Sequence, residues 1–245
     1  MHWTFITTSL LAFTALACPD HEYHSMRKRA DAGADWKYTD AHTWGLLKPD
    51  YGACQEGSHQ APIGLRTDQG FASNQPKLEG YEKNHPEGDF KTLPHLTFNE
   101  AGKTETVYMS AWHIHAPGEH TVNGKRTRAE MHFVHVTAEG KPRAVLALRI
   151  DPGTQDSEFF KQLPPLISHT ETGKQVDATV NIGLALDEVD RFARSLTTPP
   201  CTEGIRFFVA RDILFVSDEQ MKALLHVSQY SARPEQQVWQ HQINV

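Results

Sequence analysis

Apolar and polar residues alternate over many short stretches of this chain, the period-two signature of half-buried strands. Leu93 to Phe98 and Glu105 to Ala111 read as two strands around an Ala101-Gly102 turn. Asn123-Gly124 is the strongest hairpin signal, because a two-residue type I′ turn needs positive φ at both positions. Met131 to Thr137 and Arg143 to Ile150 form a further hairpin turning at Glu139-Gly140, and Ile205 to Val216 is strand-rich with a break near Arg211-Asp212. Helical signals are few. Ser157 is placed to cap a short helix beginning at Glu158. Ser217 and Gln220 form a capping box ahead of a helix with Met221, Leu224 and Leu225 on one face. Residues 65 to 92 are polar and punctuated by Gly and Pro, and no element is assigned there. The pattern predicts a mainly β protein with helices at its periphery.

The stretch around the Asn123-Gly124 turn, AWHIHAPGEHTVNGKRTRAEMHFVHV, holds five of the fifteen histidines. His113 and His115 are two apart, so on a strand both point to one face. With Val122 facing Lys125, opposed residues sum to 247, which sets His115 opposite His132 and His113 opposite Val134. Three imidazoles then share a face, while a slip of one residue would turn His132 away. Three imidazoles from rigid strands with a fourth position open suit a catalytic Zn²⁺. Glu130 falls on the same face and is placed to accept the second N–H of His132. His120 and His135 fall off this pattern and read as structural.

Trp3 to Ala17 is a short apolar run ending in Ala15-Leu16-Ala17, which reads as a secretory signal peptide over residues 1–17. Arg27-Lys28-Arg29 reads as a processing site, making 18–29 a propeptide and 30–245 a single domain. The rival for the leader is a lipoprotein anchored at Cys18; for the basic triplet it is a solvated cluster. Cleavage would remove Cys18. Cys54 and Cys201 then remain, as one long-range disulfide or as two buried thiols. A formal net charge of −6 gives no electrostatic footprint for nucleic acid or an anionic membrane. No later apolar run is long enough to span a bilayer, and no N-glycosylation sequon occurs.

From Trp36 to Pro234 the chain resembles the α-class carbonic anhydrases. The resemblance rests on His113-x-His115, Gly118-Glu119-His120-Thr121, Glu130-x-His132 with His135, and Ser195-Leu196-Thr197-Thr198-Pro199-Pro200-Cys201. Gln60-Ala61-Pro62-Ile63, Trp36-x-Tyr38 and Trp44 support it, and the HIHAP run with the short propeptide is similar to secreted fungal members. It implies a central twisted, mostly antiparallel sheet with short peripheral helices. It also implies an extracellular zinc enzyme that interconverts carbon dioxide and bicarbonate, a small-molecule substrate. His113, His115 and His132 would bind the metal. Thr197 would accept a hydrogen bond from zinc-bound hydroxide, and Glu119 would fix that hydrogen bond's direction. Val134, Val145 and Leu196 match the apolar carbon dioxide pocket, Thr198 the backbone position that meets bicarbonate, and Cys54 with Cys201 the disulfide of secreted members. The chain departs from the family at Ala111 (usually Gln), Phe192 (Tyr), Arg194 (Gly) and Phe207 (Trp). The proton-shuttle stretch is not recognisable between Ile63 and Leu93; His85 and His95 are the nearest histidines. A non-catalytic binding protein on the same fold is the alternative reading.

Overall fold

A computed structural model describes residues 35–70, 75–81, 93–163, 181–186, 197–228, 230–241 and 243. The predicted leader, propeptide and basic triplet lie outside them, as do His85, Phe192, Arg194 and Leu196.

Among the described residues the strands are β1 (Gly64–Leu65), β2 (Lys77–Glu79), β3 (His95–Glu100), β4 (Lys103–His115), β5 (Thr121–Val122), β6 (Lys125–Arg126), β7 (Ala129–Val136), β8 (Pro142–Gly153) and β9 (Arg206–Ser217). Six of them form one sheet in the order β2-β3-β4-β7-β8-β9. All its pairings are antiparallel except β8 with β9. A second, small sheet runs β1-β5-β6. The α-helices are α1 (Ala53–Glu56), α2 (Glu158–Lys161), α3 (Gly183–Leu186) and α4 (Asp218–Val227). The mainly β, mostly antiparallel prediction stands. The unassigned stretch after Ile63 contributes β1 and the edge strand β2, each too short to leave a period in sequence.

β7 sits in the middle of the large sheet and all eight of its residues are buried. One face of the sheet carries the main core, with Met131, Phe133, Leu146, Leu148 and Phe208. The other carries a smaller apolar cluster of Ile63, Val134, Val145, Ala147, Ile205, Phe207 and Val209. His132 and Glu130 alternate with the core residues of β7 and so fall on the smaller cluster's side.

The turn residues behave as their chemistry requires. Ala101, Gly102, Asn123 and Gly124 all take positive φ, as two-residue hairpin turns demand. The predicted break in β9 is a bulge in a continuous strand: pairing with β8 jumps from Ala147↔Val209 to Arg149↔Ile213. The buried Arg149 guanidinium donates to the carbonyls of Ala210 and Arg211, which the bulge removes from the ladder. The Ser217–Gln220 capping box forms in full. Two helix expectations need correction. Ser157 precedes α2 but makes no side-chain cap; instead its backbone N–H and C=O are both taken by the Gln220 amide. Leu225 is exposed, because the buried face of α4 is carried by Met221 and Leu224.

Trp36, Trp44 and Tyr51 pack a third cluster around Cys54 and Cys201, which form a disulfide. It closes a loop of 147 residues. The chain-entropy estimate for so long a loop is about 5 kcal/mol. The double replacement Cys54→Ser with Cys201→Ser should therefore lower the denaturant-unfolding free energy by several kcal/mol. Equal midpoints for the two proteins would contradict this.

Candidate metal centre

β4 delivers His113 and His115 to one face, and the neighbouring β7 delivers His132. The predicted register holds at the tip, where Val122 pairs with Lys125 and Thr121 with Arg126. It does not hold further down. His132 is opposite His113, and His115 is opposite Glu130. The cause is an uneven excursion. Between the pairs Thr121↔Arg126 and His115↔Glu130, residues 116–120 on one side oppose only 127–129 on the other. A shift of two preserves the face, so the three histidines still converge. The extra residues give the chain room to bring Glu119 and His120 in below them. Gly118 permits that fold: its N–H donates to the Thr127 carbonyl, and a Cβ there would lie 2.6 Å from Thr127 Oγ1.

One nitrogen from each of His113, His115 and His132 lies within 4.8 Å of the others, and all three side chains are buried. The Nε2 atoms of His113 and His115 are 3.0 Å apart. The remaining nitrogens are held by the protein. His115 Nδ1 donates to the Ser231 carbonyl, and His132 Nε2 donates to Glu130 Oε1 at 2.8 Å, as the sequence predicted. These bonds fix the tautomers and leave His115 Nε2 and His132 Nδ1 as lone-pair donors. Burial, with His115 beside it, pushes the His132 pKa down to about 4, so the ring is neutral, the form a metal requires.

Glu130 does more than the sequence indicated. Oε1 also accepts from His120 Nδ1 at 2.6 Å, and Oε2 accepts the backbone N–H groups of Glu119 and His120 at 2.9 and 2.8 Å. Burial works to raise its pKa, but the His120 and His132 rings outweigh that and hold it well below the carboxylate range. His120, Glu130 and His132 also lie close enough together to suggest a second metal group. Every lone-pair direction of that carboxylate is already taken by an N–H, so this group is a hydrogen-bond network rather than a competing site. His120 is structural as predicted, with its role now specific.

Glu119 is fully buried and 3.5 Å from His115 Nε2. Burial pushes its carboxyl up to about 8, while the nearby Thr197 hydroxyl and a hydrogen bond from the Arg233 N–H pull it down. The Arg233 N–H donates to Oε1 at 2.8 Å. Thr197 and Thr198 are buried in a turn closed by the Cys201 N–H donating to the Thr198 carbonyl. Val134 and Val145 are cross-strand partners, and Val145 pairs in turn with Phe207, whose ring stands 5.1 Å from that of His132. His135 lies on the other side of β7, against the Tyr81 hydroxyl in the main core. Ser231 and Arg233 were not foreseen. Both contribute main-chain groups, which carry no residue-type signal.

The donor set fits a zinc ion: three buried imidazoles converge, with the other nitrogens of His115 and His132 already committed. A sequence model described as eukaryotic-type carbonic anhydrase matches residues 39–243. The chain is 31% identical over 198 residues to a carbonic anhydrase of Klebsiella pneumoniae, covering 75% of this chain and 78% of that protein. It is 29% identical over 239 residues to alpha carbonic anhydrase 7 of Arabidopsis thaliana, covering 91% and 82%. Among solved structures it is similar to an alpha-carbonic anhydrase from Thermovibrio ammonificans in complex with the inhibitor sulfanilamide. That match has a TM-score of 0.66 at 27% identity over 86% of this chain and 99% of the other. The match over residues 39–243, together with the buried histidine triad in the place the hairpin gives it, identifies the chain as a member of the eukaryotic-type carbonic anhydrase family.

Proposed function

We propose that the protein binds one Zn²⁺ through His113, His115 and His132 and catalyses CO₂ + H₂O ⇌ HCO₃⁻ + H⁺. The observation that carries this is the buried convergence of three imidazole nitrogens. A zinc ion held there supplies the Lewis acidity that makes water a nucleophile near neutral pH and the charge that keeps a neighbouring carboxylate ionised, and carbonic anhydrase is itself the standard example of such a site. With that charge in place Glu119 would be ionised and could only accept, so the Thr197 hydroxyl would donate its hydrogen bond to it. Thr197 is then left with lone pairs alone toward the pocket, and it accepts from the attacking water and sets its direction. We assign Val134, Val145 and Phe207 to an apolar wall that receives carbon dioxide and excludes competing water; Leu196, which the resemblance also assigns to that pocket, lies outside the described residues. The Thr198 backbone is the group we assign to bicarbonate. Loss of hydration activity on dialysis against a chelator, with recovery on adding Zn²⁺, tests the assignment; activity that survives complete metal removal would sink it.

The Cys54–Cys201 disulfide supports secretion, because such bonds persist in oxidising compartments. No helix among the described residues is long and apolar enough to cross a membrane. We assign residues 1–17 to a signal peptide, 18–29 to a propeptide and the remainder to one catalytic domain, in a secreted protein of the fungal type.

Each turnover releases a proton that must leave a buried site. His95 is poorly suited to carry it: its Nδ1 is hydrogen-bonded to the Leu93 carbonyl and its Nε2 to Glu79. Hydration should be limited by proton transfer in dilute buffer. Imidazole-type buffers should raise kcat and leave kcat/KM nearly unchanged, since the latter covers steps only up to bicarbonate release. Stopped-flow rates against buffer concentration check this; a kcat already maximal in dilute buffer would overturn it.

A further inference from the structure

Arg233 is 1% exposed, yet no carboxylate hydrogen-bonds its guanidinium among the described residues. Its partners are neutral oxygens from two neighbouring segments. Nη1 donates to Gln60 Oε1 at 3.0 Å and to the Ala61 carbonyl at 2.8 Å; Nη2 donates to the Cys54 carbonyl at 3.0 Å. The guanidinium lies 5.7 Å from the Trp44 ring centre, and Nε is buried without a hydrogen-bond partner among the described residues. Burying a cation this way is costly, and a core residue of similar volume would avoid that cost. What an apolar or ammonium side chain could not do is hold these oxygens at once in one plane. Gln60 extends the set: its Nε2 donates to the Cys201 carbonyl, across the disulfide from Cys54. The backbone N–H of Arg233 itself holds Glu119 Oε1.

From this geometry we infer that Arg233 is a positioning residue for the reaction. Its guanidinium clamps residue 233 to the disulfide-bearing segment, so that its N–H fixes the Glu119 carboxylate toward Thr197. The inference rests on the role given to Glu119 above. It accounts for the choice of arginine, which packing alone leaves unexplained. It also makes Glu119 rigid from both sides, with its own N–H on Glu130 and its carboxylate on Arg233.

The test combines Arg233→Met, Glu119→Ala and the double variant. On zinc-loaded protein, Arg233→Met should retain the metal and lower kcat about tenfold or more, since a misplacement of about 1 Å can cost a hundredfold. In the Glu119→Ala background the same change should lower kcat less than twofold. A similar fold-loss in both backgrounds would mean a merely structural residue and would overturn the inference. A second arm needs neither metal nor turnover. Hydrogen exchange at the residue 233 amide should accelerate at least tenfold in metal-free Arg233→Met, and unchanged protection would overturn the inference. If Arg233→Met does not fold, Arg233→Lys replaces it in both arms. It keeps the charge and loses the planar fork, so it should show the same signs, and wild-type protection and kcat in it would equally refute the clamp. A Glu119→Ala protein that turns over normally would refute the role of Glu119 instead, and the exchange arm would still decide whether Arg233 holds its own amide in place.

Discussion

Replacing His132 by Ala should take the zinc content of the purified protein from one per chain to near zero and abolish hydration. His115→Ala should do the same. Each ring supplies one of three nitrogens converging within 4.8 Å, and each is aimed by a hydrogen bond at its other nitrogen. Loss of the His132 ring also removes one of the two imidazole donors on Glu130 Oε1, leaving a buried carboxylate less satisfied. A stability loss of about 1–3 kcal/mol should accompany the loss of metal for that reason. His95→Ala serves as the control and should keep its zinc, because His95 pairs with Glu79. Elemental analysis of the three variants decides the matter. Full zinc occupancy in both His115→Ala and His132→Ala would contradict the ligand assignment.

Glu119→Gln should keep its zinc and lose about a hundredfold in kcat, the scale of removing one preorganised polar group from a reacting centre. Gln is nearly isosteric, and its amide oxygen can still accept the Arg233 N–H now held by Oε1. What changes is the other end. An amide N–H₂ toward Thr197 donates where a carboxylate could only accept, so the Thr197 hydroxyl is no longer forced to present lone pairs to the pocket. Zinc content and turnover should be measured on the same sample. Normal turnover with zinc in place would refute the role given to the Glu119–Thr197 pair.

The convergence of the three histidines was legible because two simple periods act together. A spacing of two puts His113 and His115 on one strand face, and Asn123-Gly124 fixes where the chain turns back. The pairing His113↔His132 was misjudged by two residues, because nothing in the sequence marks the excursion at 116–120 as longer than its counterpart. Parity saved the conclusion: an even shift leaves His132 on the same face. Glu130 was legible as a partner of His132, but its two backbone donors were not, since they come from the loop that the excursion creates. Ser231 and Arg233 reach the site through a carbonyl and an N–H, groups that every residue but proline possesses. β2 is three residues long, shorter than any period can reveal. Ser157 shows the reverse failure: a good capping residue makes no side-chain cap, and what anchors it is the Gln220 amide on its backbone.

We propose a working zinc enzyme rather than a binding protein on the same fold. Titrating metal-free protein with Zn²⁺ while following CO₂ hydration tests it most directly. Activity should rise linearly and break at one equivalent per chain. Binding of one equivalent with no hydration above the buffer rate would contradict it.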